Sequence, residues 1–103
     1  MFNLMTKFIM DDIERLLQRI GKGVFLKVLY PEIEKDINIT VEDLSNKYPI
    51  YASFSINSQR TRLSNAKKIF ELNKQKEALQ IIMLSKKMFA EDKKLASLYY
   101  KQL

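Results

Sequence analysis

From Ser55 to Leu103 the chain contains neither proline nor glycine. Proline lacks the backbone N–H and crowds the preceding turn, and glycine carries the largest backbone entropy, so a stretch without either favours helix. An unbroken rod of that length is unusual in a small domain. The most turn-like place within it is "ELNKQKEAL", which predicts a break near Asn73. With 103 residues, 47% of them apolar, and only two glycines and two prolines in all, the chain suits one small folded domain.

The hydrophobic spacing predicts where the helices lie. Phe2, Met5, Ile9, Ile13, Leu16 and Ile20 recur at three- and four-residue steps, with Asp11, Asp12, Arg15, Gln18 and Arg19 on the other side. Gly21 and Gly23 should end that helix near Ile20. In "VFLKVLYPEIEKD", Val24, Phe25, Val28 and Leu29 form a stripe that reads as helix or as a short strand. Helix is preferred because no second strand is available to pair with it. Pro31 should end or kink it. Thr40 and Asp43 make a capping box opening a short helix from Val41 to about Lys47. Pro49 closes it, and "YPIYASFS" reads as a loop whose Tyr48, Ile50, Tyr51 and Phe54 plug the core. Ser55 caps the next helix. A further helix over about Lys74 to Lys87 should bury Ala78, Leu79, Ile82 and Ile81.

The expected fold is therefore all-α, a small bundle of about five helices. The helical domain spans 1–87, and 88–103 is a C-terminal helix or a helix extension. Ile81, Leu84, Met88, Leu95 and Leu98 make a short heptad-like pattern broken by Glu91, which offers self-association through this segment or packing onto the chain's own core.

The chain has no cysteine and no histidine, which removes disulfides, thiolate nucleophiles and imidazole-based acid–base chemistry or zinc sites. The carboxylate sets Asp11, Asp12, Glu14 and Glu32, Glu34, Asp36 match no calcium-loop pattern. No enzyme, cofactor or metal site is expected. The N-terminal apolar stretch meets Asp11 too early for a secretory segment, and no run approaches the ~20 apolar residues of a membrane span, so a cytoplasmic location and no membrane partner are expected.

Net charge is +6, and it is unevenly placed: residues 1–54 sum to −1 and residues 55–103 to +7. A one-signed half raises the local concentration of a polyanion, although a merely solvated face has the same composition. Within "SINSQRTRLSNAKKIF", residues 55–70, helical winding turns Ile56, Leu63, Ala66 and Phe70 inward. The opposite face carries Asn57, Thr61, Ser64, Asn65 and Lys68, with Ser58 and Arg62 to one side and Arg60 and Lys67 to the other. Amides and hydroxyls can read base edges in the DNA major groove while long cations reach the phosphates. The helix has no acidic residue before Glu71.

The capped helix at Thr40 and the basic helix that follows resemble the helix-turn-helix DNA-binding superfamily over residues 40–70. One departure is the connection from Tyr48 to Phe54, which is longer than the usual turn and lacks its glycine. The resemblance implies double-stranded DNA as the partner, with Asn57, Ser58, Thr61, Arg62 and Asn65 at bases and Arg60, Lys67, Lys68 and Lys74 at phosphates. It also implies a dimer, here through the C-terminal helix, and a role in transcription regulation or in phage or plasmid maintenance. Competing readings are a basic docking face for an acidic protein, as in a small adaptor, inhibitor or antitoxin, and RNA binding. For Arg60 and Arg62, pairing with Glu71, Glu42 or Asp43 competes with a DNA role. Tyr48, Tyr51, Tyr99 and Tyr100 could stack on single-stranded bases or serve as packing.

Overall fold

Ile13, Leu16, Leu17 and Ile20 line one side of a helix, α1, over 12–20, and all four are buried. The computed structural model describes residues 12–103; the expected positions Phe2, Met5, Ile9 and Asp11 lie outside the described residues. α1 ends where glycine was expected to end it. Gly21 has φ 88°, a left-handed conformation that side chains rarely adopt, and its N–H donates to the Leu17 carbonyl.

α2 follows at once, α-helical over Lys22–Val24, π-helical over Phe25–Leu29 and α-helical again over Tyr30–Lys35. Of the two expected outcomes, an end or a kink, Pro31 does not produce the first: the helix continues through it, with a local departure from α geometry just before it. The Tyr30 N–H donates to the carbonyl of Phe25, five residues back, so the turn before the proline is widened. That widening relieves the clash a proline ring makes with the carbonyl four residues before it. Phe25, Leu26, Leu29, Tyr30 and Ile33 are all buried, and burying such side chains contributes roughly 1.5–3 kcal/mol apiece. α2 turns a broad apolar face to the core and leaves Lys27, Glu34 and Lys35 exposed on the opposite side.

Thr40 accepts from the Asp43 N–H and Asp43 accepts from the Thr40 N–H, closing the expected capping box at the start of α3, Val41–Lys47. The segment expected to be a loop is partly helical: Pro49–Ala52 form a single turn, α4, with proline at its first position and the preceding Tyr48 extended. Tyr51 is the plug, fully buried, while Ile50 is exposed. Ser55 caps α5, Ile56–Glu71, by accepting from the Ser58 N–H. The break near Asn73 is present, with that residue at φ 57°.

α6, Gln75–Leu84, buries Ala78, Leu79 and Ile82 as expected but stops three residues earlier than the anticipated Lys87. A turn then leads to a separate helix, α7, Ala90–Gln102, which packs along α6 and onto the π turn of α2. Ala96 of α7 is buried, Tyr99 stacks on Tyr30 with ring centroids 4.7 Å apart, and Asp92 pairs with Lys27 at 3.1 Å. Residues 88–103 therefore share the core of the rest. The heptad-like positions are divided among α6, the turn and α7, with Leu84 and Leu98 exposed and Met88, in the turn, and Leu95 partly covered. Among the described residues there is no strand, and no helix is long and apolar enough to cross a membrane.

Candidate nucleic-acid interface

Gln59 decides how α5 is seated. It is buried; its amide donates to the Phe54 carbonyl at 2.9 Å and its side-chain oxygen accepts from Ser45 Oγ at 2.9 Å. Its own carbonyl accepts from the Tyr51 hydroxyl. One residue thus ties α3, α4 and α5 together, and satisfies buried polar groups that would each be costly if left unpaired. Burial also pushes the Tyr51 phenol up to about 12, so it stays a donor. A second buried group, Glu32, accepts from Lys47 Nζ and the Tyr48 hydroxyl. The Lys47 hydrogen bond is the main reason its carboxyl lies below the usual value, and it anchors the end of α3 to α2.

With Gln59, Leu63, Ala66 and Ile69 inward, α5 is rolled relative to the expected face. Ile56, expected inside, is exposed at 51%. The helix starts at Ser55 against a buried amide, so the polar Gln59 takes the inward position that apolar spacing alone assigns to Ile56. The exposed ridge consists of Asn57, Arg60, Thr61, Ser64 and Lys68, with Glu71 at its far end.

The roll carries Ser58 and Arg62 to the margin that meets α1. Arg62 Nη1 donates to the Ile20 carbonyl at 2.6 Å, its Nε donates to Ser58 Oγ at 2.9 Å, and its guanidinium lies 3.9 Å from the centre of the Phe54 ring. A carbonyl left over at the end of α1 is thereby satisfied by a charged donor. Gly21 is the counterpart: a Cβ there would stand 3.1 Å from Arg62 Nη1. Arg62 and Ser58 hold α5 on α1, and neither Arg60 nor Arg62 pairs with Glu71, Glu42 or Asp43.

Two clefts flank the ridge. One, of about 530 Å³, has Ile39, Thr40, Val41 and Leu63 in its lining together with Arg60, Ser64, Lys67, Lys68 and, at one end, Glu71. The other, of about 500 Å³, is lined by Arg60, Thr61, Ser64, Asn65 and, from α1, Arg19. Arg19 also lines a smaller depression with Arg15 and Lys68. Among the described residues the ion pairs are Arg15–Asp12, Lys27–Asp92, Lys47–Glu32 and Lys74–Glu77. None of them neutralises Arg19, Arg60, Lys67 or Lys68.

The structure thus brings together Asn57, Thr61, Asn65, Arg60, Lys67 and Lys68 from the expected set. Lys74 stands apart at the start of α6, 4.0 Å from Glu77. Arg19 was missed because, along α1, it shares the polar side with Asp12 and reads as ordinary solvated surface; only the packing of α1 on α5 places it in the cleft. The tyrosines behave as packing: Tyr51 is buried and Tyr99 lies on Tyr30. No protein-family profile, curated protein or solved structure matches the chain.

Proposed function

We propose that the ridge of α5, with Arg19 of α1 beside it, binds double-stranded DNA without catalysing a reaction, in a cytoplasmic regulatory or accessory role. The observation that carries this reading is the set of cations that form no ion pair among the described residues, Arg19, Arg60, Lys67 and Lys68, bordering the short polar side chains Asn57, Thr61, Ser64 and Asn65. A projecting helix with amides and hydroxyls along its crest suits base edges, and concave flanks lined by cations suit the two phosphate backbones. In this arrangement Asn57, Thr61, Ser64 and Asn65 face bases, Arg19, Arg60, Lys67 and Lys68 face phosphates, and Arg62 with Ser58 keeps the reading helix in place.

Gel shifts against random duplexes, followed by selection of the bound sequences, test it. Asn65→Ala should reduce sequence preference and leave non-specific affinity nearly intact. Lys68→Ala should weaken binding to all sequences and lower the salt slope by about one. Binding indifferent to both substitutions would refute the assignment. One observation favours a second reading, a docking face for an acidic protein: the apolar Ile39, Val41 and Leu63 within the first cleft could seat a partner's side chain. Val41→Ser, which removes the apolar contact without adding charge beside Arg60, Lys67 and Lys68, should weaken protein docking and barely affect duplex binding.

A further inference from the structure

The turn joining α6 to α7 belongs to neither cleft, and it carries the two most exposed of the large hydrophobic side chains, Phe89 at 78% and Leu84 at 71%. Between them stand the exposed Lys86 and Lys87, and the first turns of α7 add Lys93 and Lys94. The acidic residues nearby do not cancel this charge: Asp92 is buried and held by Lys27, leaving Glu91 alone at the surface. The turn is also tethered. Lys22 Nζ donates to Ser85 Oγ at 3.3 Å, and Met88 packs against the core, so Leu84 and Phe89 stand out from a fixed base.

We propose that this turn docks on an anionic lipid bilayer, with Phe89 and Leu84 entering the interface and the lysines at headgroup level. Exposed apolar side chains flanked by four lysines match the pattern of a membrane-surface segment, in which the apolar groups enter the acyl boundary and the cations meet anionic headgroups. Lysines attract an anionic surface as flexible point charges and keep their ammonium groups in water while their stems lie along apolar material. The turn supplies neither arginine nor a run of amides, the groups that read nucleic acid most specifically. This tip is independent of the DNA reading, as it shares no residue with α5.

The test uses the full chain and vesicles of phosphatidylcholine alone or mixed with phosphatidylglycerol. The protein should sediment with the anionic vesicles and not with the neutral ones. Phe89→Trp places a fluorophore at an open position, and its emission should shift to the blue on the anionic vesicles and be quenched by brominated lipid. Leu84→Ser with Phe89→Ser, and separately Lys86→Gln with Lys87→Gln, should each weaken sedimentation roughly tenfold with unchanged circular dichroism. Arg60→Gln with Lys68→Gln should lower duplex binding and leave the fluorescence shift in place. The proposal is overturned if the tip variants sediment as well as the parent, or if the fluorophore stays in water. It is equally overturned if duplex DNA produces the shift, or if sedimentation equilibrium shows a dimer that the serine variant dissolves, making a second copy the occupant.

Discussion

Arg60 and Arg62 lie two residues apart on α5 and belong to different worlds. The inner margin, Ser58, Gln59 and Arg62, is knitted to α1, α3 and α4 by hydrogen bonds with Ile20, Ser45 and Tyr51. The outer ridge, Asn57, Arg60, Thr61, Ser64 and Lys68, is exposed and forms no ion pair with the rest of the described chain. Polar residues on a helix are thus not one class. Those on the margin stabilise the fold, and those on the crest are available to something outside it.

Substitutions can break that division. Gln59→Ala should have the largest effect, about 2–4 kcal/mol lost in urea unfolding, since it leaves the Phe54 carbonyl and Ser45 hydroxyl without their partner and opens a gap. Arg62→Ala should cost about 1.5–3 kcal/mol through the Ile20 carbonyl and the Phe54 ring, with the salt slope of duplex binding unchanged at temperatures where the variant is folded. If instead the salt slope falls and stability holds, Arg62 belongs with the ridge. Gly21→Ala should cost about 1–2 kcal/mol from its left-handed backbone. Its cost should be smaller in an Arg62→Ala background, where the guanidinium no longer stands over the new methyl group.

The inner network also predicts a pH dependence. Glu32 has its pKa lowered in the folded state by Lys47 and Tyr48, so its contribution is present above the ordinary glutamate value of 4.5. That stability is lost as pH falls through the lower folded value. Melting temperatures followed into acid should drop in that window, and Glu32→Gln should flatten this part of the curve. The smallest effect on stability belongs to the ridge: Arg60→Ala should stay within about 0.5 kcal/mol of the parent in unfolding while lowering duplex affinity and its salt slope.

The signals that sequence carried faithfully were local. Thr40 with Asp43, Ser55, Gly21 and Asn73 each act on backbone groups a few residues away, and each sits where its chemistry placed it. What escaped needed a distant partner or an unusual turn. Pro31 signals an end or a kink because a regular α-helix accommodates it poorly, and the π turn that lets the helix continue is not encoded in any single residue type. The orientation of α5 turned on whether Ile56 or Gln59 faced inward, and buried partners on α3 and α4 decided for the glutamine. Of the ridge, most was legible from periodicity; Arg19 was not, since thirty-odd residues and three helices separate it from α5 in sequence.

The hydrogen bond from Arg62 to Ile20 has a mechanical corollary. The carbonyl it grips belongs to the residue after Arg19, and Arg62 itself follows Arg60 by one intervening threonine. The backbone anchors of two cations from different helices are therefore set by a single strut, like the jaws of a locked caliper. A partner meeting them finds the two backbone positions already set, so the ordering entropy lost on contact is confined to the two long side chains.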